Sequence, residues 1–218
     1  METVKTTNGK EFKQATAEEV LAHLKSVDRK NIVTTTSRLG LTNGGPGNQR
    51  ELFLRVNNGD TRHYRVRKSF LYKLMRWYHL SENVFSKFRP ETITAVGNDF
   101  LSHIRSSNVT VKTENDEALT IVSSRYSEFS DKELLEICMD KLSISGVSRD
   151  DFSMRIFTEE KIKTQPIRGD DCGFGYNVFN SATGFMALRA AHYILRYICK
   201  KGAVVRINGN RESIYHYN

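Results

Sequence analysis

Arg62, Arg65, Arg67 and Lys68 place four cations within seven residues, with no acid among them. Groups at that density can meet phosphates, and each phosphate neutralised releases counterions and steepens the salt dependence of binding. Lys73 and Arg76 extend the set. Residues 50–112 hold 12 Lys or Arg against five acids, a net of +7, so most of the chain's +8 falls in under a third of its length. Rings are interleaved with that charge, and Tyr64 and Trp77 are the ones read as stacking on bases. Cations beside rings are the two ingredients of single-strand binding. A second basic set, Arg189, Arg196, Lys200, Lys201, Arg206 and Arg211, includes Tyr193 and Tyr197 at helical spacing from the arginines.

Catalytic chemistry has no comparable signal. The run Gly40 to Gln49 could wrap a phosphate with backbone N–H groups. It lacks both the Gly-Lys-Ser/Thr ending of a P-loop and the spacing of a dinucleotide site, and reads as a flexible connection or a ligand-ordered arm. Asp150-Asp151 and Asp170-Asp171 are adjacent pairs, whose side chains diverge on a strand and commonly decorate turns. His63, His79, His103, His192 and His216 show no metal-ligand spacing. Ser123 and Ser124 sit in no nucleophile elbow. Cys199, beside Lys200 and Lys201, would be activated only if exposed, and a buried structural thiol is the simpler reading. No catalytic residue, metal or cofactor is assigned.

These residues need elements to position them. Thr16-Ala-Glu-Glu19 is a capping box and predicts a helix from Ala17 to Val27. Asn31 to Ser37 is β-branched and reads as a strand; Gly40 to Gln49 breaks regular structure. Glu51 to Val56 and Thr61 to Arg67 form a hairpin around Asn57-Asn-Gly-Asp60. Alternation puts Arg62, Tyr64 and Val66 on one face and His63, Arg65 and Arg67 on the other. Ser69 is read as capping a helix through Trp77, on which Lys73 and Arg76 would face solvent together with Arg67. Further helices are expected over 91–105, opened by Pro90, and from the capping box Ser130-Asp-Lys-Glu133 to Leu142. Strands are expected at Val109 to Val111, Leu119 to Ser123, Phe152 to Phe157 and Tyr176 to Phe179. Gly184 to Lys201 fits a helix with Phe185, Leu188, Ala191, Leu195 and Ile198 inward, although a strand stays open. Ala203 to Ile207 and Ser213 to Tyr217 read as a closing hairpin. The class is α+β, with a mainly antiparallel sheet, hairpins and several packed helices.

With 39% hydrophobic and 27% charged residues, the 218-residue chain has the composition of a soluble globular protein. Few prolines and no linker tract suggest a single domain over residues 1–218, with residues 1–30 forming a peripheral N-terminal helix. Three cysteines, none in a C-x-x-C pair, point to a reducing compartment. Met1 to Lys13 lacks the apolar segment of a signal peptide, and no apolar run is long enough to span a bilayer. A cytoplasmic protein without a membrane partner is the expectation.

Three blocks carry a resemblance. The first is Phe70-Leu-Tyr-Lys-Leu with Leu80 and Phe88-Arg-Pro-Glu91; the second is Ile121-Val-Ser-Ser-Arg-Tyr126 with Asp131 and Leu134-Leu135. The third is Asn180-Ser-Ala-Thr-Gly184 continuing through Leu195-Arg-Tyr-Ile-Cys199 to Gly202. In order and spacing, over roughly residues 50–217, the chain resembles a phage- and plasmid-borne family known only as domain of unknown function 932. It departs from that family at Cys199-Lys-Lys-Gly202, where Cys-Thr-Asn-Gly is usual, and it ends at Asn218 without the family's later helices. The resemblance implies a mobile-element protein, in the host cytoplasm if phage-encoded, and carries no catalytic residues.

The expectation is a non-enzymatic nucleic-acid-binding protein of a phage or plasmid, acting on single-stranded DNA in replication or recombination. Self-association would fit a chain this short. Two alternatives stay open: a basic interaction module for an acidic host protein, in defence or host takeover, and a metal-dependent nuclease.

Overall fold

The expected capping box closes: the Thr16 backbone N–H donates to Glu19 Oε2 at 3.1 Å, and Glu19 N–H donates to Thr16 Oγ1 at 3.2 Å. It opens α1 (Ala17–Ser26), directly after the short strand β1 (Phe12–Ala15). The computed structural model describes residues 6–45, 48–81, 87–103, 108–160, 163–167, 170–196, 203–205 and 212–214, without side chains at 45, 48–50, 163–167, 170–171, 194–196, 203–205 and 212–214. Contacts divide the chain into two units: Met1–Gly9 with Val27–Tyr126, and Lys10–Ser26 with Ser127–Asn218. The fold is α+β, with four α-helices and two mostly antiparallel sheets among the described residues.

In the first unit, β2 (Arg29–Thr34) leads through a 3₁₀ turn, Thr36–Arg38, into β3 (Leu39–Gly45). The expected strand Asn31 to Ser37 thus ends early. β4 (Asn48–Asn58) and β5 (Asp60–Val66) follow, then α2 (Lys68–Trp77), α3 (Pro90–His103), β6 (Val109–Glu114) and β7 (Glu117–Ser123). Gly59, at φ +92°, closes the β4–β5 hairpin in a conformation that L side chains resist.

Over its described part, Gly40 to Gln49 is not a loop. It forms most of β3 and the start of β4, paired from Leu39↔Val56 to Gly45↔Asn48. Glycines lower strand propensity, but tertiary contacts hold this edge. The Asn98 side chain on α3 accepts from Leu41 N–H at 2.6 Å and donates to Leu41 C=O at 2.9 Å, satisfying a backbone edge that would otherwise be open. Gly97 lets α3 approach, since a Cβ there would lie 2.3 Å from Leu41 Cδ1.

The sheet order is β2-β6-β7-β5-β4-β3, antiparallel throughout except for β5–β7. Six flat strands would separate β2 from β3 by about 24 Å. Yet the two strands are joined by four residues, a link of at most about 18 Å even fully extended. The sheet must therefore curl. Asn58, four strands from β2 in that order, accepts from Thr34 Oγ1 at 2.7 Å and donates to Val33 C=O at 3.1 Å. Taking β2 and β3 as one bent strand, the connectivity is that of the OB-fold, a partly open Greek-key barrel. Its interior holds Leu41, Leu54, Tyr64, Val66, Val111 and Ile121, with Phe70 and Leu74 of α2 among them.

The second unit adds α4 (Asp131–Lys141), β8 (Ile144–Arg149), β9 (Met154–Thr158), β10 (Lys163–Ile167), β11 (Asp170–Asn180), β12 (Leu188–Arg196), β13 (Ala203–Val205) and β14 (Glu212–Ile214). Ser130 is the N-cap of α4 but makes no side-chain capping bond, so the second expected box does not close. The path β1-β8-β9-β11-β12-β13 is antiparallel, with β10 also on β11 and β14 also on β12. Val20, Leu24, Leu135, Val147, Met154 and Ile156 make the core, between α1, α4 and one face of the sheet.

Gly184 to Lys201 is not a helix over its described part. Leu188–Arg196 is a strand in register with β11 from Cys172↔Arg196 to Phe179↔Arg189. Ala190-Ala191 favours helix locally, but β11 offers a long partner edge and Gly175 a place for the Tyr193 ring. A Cβ on Gly175 would lie 2.6 Å from Tyr193 Cζ and 2.0 Å from Thr158 O. Among the described residues β13 and β14 each pair with β12 rather than with each other, and the rest of the expected closing hairpin lies outside the described residues.

Candidate nucleic-acid interface

Arg67 is not a solvent-facing cation. It is 3% exposed, donating from Nε to Glu117 at 2.8 Å and from Nη1 to Glu114 at 3.1 Å. Glu114 also receives Arg29 Nε at 2.8 Å. Those acids lie about fifty residues from Arg67 in sequence and arrive through the parallel pairing of β5 with β7. Ser69 does not cap α2 but is wholly buried, donating to Leu119 C=O at 2.6 Å. Tyr64 and Tyr193 are likewise not presented for stacking. Tyr64 is in the barrel core, and Tyr193 donates its hydroxyl to Thr158 C=O at 2.5 Å. Burial raises the Tyr193 pKa.

The other candidates divide by exposure. Arg62 and Arg76 are exposed, and Arg65 is exposed while bridging Glu51 at 3.1 Å. Lys68 is half-buried, its ammonium 5.0 Å from the Tyr72 ring centre. Lys73 is half-buried, and burial with the nearby Arg76 and Lys112 cations lowers its pKa to about 8. Trp77 packs half-buried against the barrel core. Arg189 is exposed on β12. The Arg196 side chain and all of Tyr197, Lys200, Lys201, Arg206 and Arg211 lie outside the described residues, as does Cys199.

What the barrel brings together is the outer face of β4 and β5. Leu52, Leu54 and Val56 point inward, so alternation turns Phe53 and Arg55 outward. On β5 the same rule turns His63 and Arg65 outward. Phe53 pairs with Arg65 and Arg55 with His63, so a half-buried ring and three exposed nitrogenous side chains occupy two adjacent rows. Gly40 lies beside Arg55 in the next strand, and a Cβ there would come within 3.3 Å of Arg55 Nη2. No carboxylate among the described residues pairs with Arg55 or Arg62. The Arg65–Glu51 bridge is half open to water and worth little, so a phosphate can displace it.

Sequence reasoning included Arg65 but missed Phe53, Arg55 and His63. The signal was available: both strands of the hairpin alternate, and register across Asn57-Asn-Gly-Asp60 aligns their outward residues. The Asn180-Ser-Ala-Thr-Gly184 block builds a buried knot. Asn180 Nδ2 donates to Asp131 Oδ1 and to Phe129 C=O, each at 2.8 Å, and Arg149 Nε reaches Asp131 at 3.3 Å. Asp150 accepts from Phe152 and Ser153 N–H, both at 2.8 Å, as a turn residue does. No group of three His, Cys, Asp or Glu among the described residues could hold a metal ion. No described helix is long and apolar enough to cross a membrane. Comparison with protein-family models, curated proteins and solved structures returns no match.

Proposed function

We propose that this chain binds single-stranded nucleic acid, DNA by preference, without catalysing a reaction, and that the outer face of β4–β5 is the contact surface. The observation carrying this is the two-row array of Phe53 beside Arg65 and Arg55 beside His63, outside a barrel of OB connectivity. In that architecture the faces of the second and third strands take oligonucleotides; β4 and β5 are those strands here. Fold alone would not support the reading; the array supplies a ring for a base and cations for the adjoining phosphates. A stacked base contributes roughly 1–3 kcal/mol and each neutralised phosphate roughly 0.7 to the salt slope on a single strand. The three blocks shared with the phage and plasmid family support a mobile-element setting, in replication or recombination.

Fluorescence anisotropy of a labelled oligodeoxynucleotide and its duplex, across a salt series, tests the reading. Single-strand binding should exceed duplex binding, and R55Q/R65Q should lower the salt slope by about 1.4, two phosphates' worth. Absence of binding at low salt would refute it and leave an acidic protein as the partner to seek.

A further inference from the structure

The sheet of the second unit has two faces, and α1 and α4 pack on the one bearing Val147, Met154, Ile156, Val178 and Leu188. Register fixes what the other face carries. Ser148, Arg155, Phe179 and Arg189 form one row across β8, β9, β11 and β12; Gly146, Phe157, Asn177 and Ala191 form the next. Neither row contains a carboxylate.

The Arg155 guanidinium carbon lies 4.4 Å from the Phe157 ring centre and 5.0 Å from that of Phe179. The two rings are diagonal neighbours on adjacent strands, a relation that puts such positions about 7–8 Å apart. Both rings and Arg155 are half-buried, whereas Arg189 is exposed and pairs with no carboxylate among the described residues. Asn177, 4% exposed, stands in register with Phe157, and its Oδ1 has no hydrogen-bond partner. A sheet face with no helix packed on it among the described residues of its unit usually carries charges of both signs. This one presents two half-buried rings, a guanidinium within 5.0 Å of both ring centres, and the exposed Arg189 cation.

We infer that this face is a second platform for single-stranded nucleic acid. Bases stack on Phe157 and Phe179, and Arg189 meets a phosphate. The inference shares its ligand class with the proposed function but stands on different residues in the other unit.

The test uses the full chain and a fluorescein-labelled, mixed-sequence oligodeoxynucleotide of about 30 nucleotides, beyond the roughly 4–16 covered by one OB barrel. Affinities of R189E and F179L are measured by anisotropy, with folding checked by circular dichroism. An iodouracil-substituted copy of the strand is photo-crosslinked, and the attached peptides are mapped by mass spectrometry. Each substitution should weaken binding about 5- to 10-fold, since one phosphate contact or one stacked base is lost. Crosslinks should fall on peptides containing Phe157 or Phe179, and persist in R55Q/R65Q. If R189E and F179L are folded and bind as wild type, with crosslinks confined to β4–β5, this inference fails and the barrel site stands. If R55Q/R65Q binds as wild type while R189E does not, the barrel assignment fails and this platform stands. No binding and no crosslink anywhere overturns both.

Discussion

Replacing Arg67 separates a structural cation from a binding one. By sequence Arg62, Arg65, Arg67 and Lys68 are equivalent members of one cluster. In the fold, Arg67 is nearly solvent-free and holds two carboxylates, whereas half of the Arg65 side chain is open to water. R67A leaves the Glu114 carboxylate, 1% exposed, with one guanidinium instead of two. Removing one partner of a buried ion pair typically costs about 3–5 kcal/mol, because the remaining charge stays desolvated. With a urea m-value of about 2 kcal/mol per molar, the first unit's unfolding midpoint should fall by about 2 M. R65A breaks only an exposed bridge and should cost under about 1 kcal/mol.

The assay is urea unfolding followed by tryptophan fluorescence, since Trp77 packs on this core. Anisotropy on the fraction still folded runs beside it. R67A should lose stability and keep the salt slope of binding; R65A should keep stability and lower the slope by about 0.7. An R67A protein within 1 kcal/mol of wild type, with a reduced salt slope, would refute the structural assignment and restore Arg67 to the binding cluster.

Two further perturbations test the packing and electrostatics. G175A should destabilise the second unit by about 3 kcal/mol or more by thermal unfolding, since its Cβ would sit 2.0 Å from the Thr158 carbonyl oxygen and backbone cannot yield cheaply; wild-type stability would show that β11 can shift. Lys73, with its pKa lowered to about 8, binds its proton less tightly folded than unfolded, so stability should rise with pH between about 8 and the ordinary 10.5 and be flat below. In K73M, urea unfolding at pH 7 and pH 10 should show that rise abolished, with a gain at pH 7 of up to about 3 kcal/mol, the full shift at 1.36 kcal/mol per unit.

The readable parts of this fold are those whose cause is local. The β4–β5 hairpin is announced by alternation on either side of Asn57-Asn-Gly-Asp60, and α1 by a capping box that closes as written. The misread parts depend on partners far along the chain. The glycine-rich β3 needs Asn98 to hold its edge, and β12 needs Gly175 in β11 to accept Tyr193. Arg67 looked uncompensated because Glu114 and Glu117 are distant in sequence and adjacent only through the β5–β7 pairing. The ladder of Arg155, Phe157, Phe179 and Arg189 was hidden because the sequence favours a helix over β12 and because Phe157 and Phe179 lie far apart in sequence.

That distinction changes the expected character of binding. A sequence count suggests a face dominated by charge, but folding internalises Arg67, half-buries Lys68 and Lys73, and pairs Arg65 with Glu51. The outer barrel face retains Arg55 and Arg65 as accessible cations, while Arg62 is exposed on the other face of β5. Two phosphate contacts give a single-strand salt slope of only about 1.4. On the proposed reading, affinity must therefore come in large part from bases stacking on Phe53 and on the second unit's rings. Stacking is tolerant of sequence because every base has a π-face. Such a protein would hold single strands of many sequences and lose duplexes, whose bases are already stacked on one another.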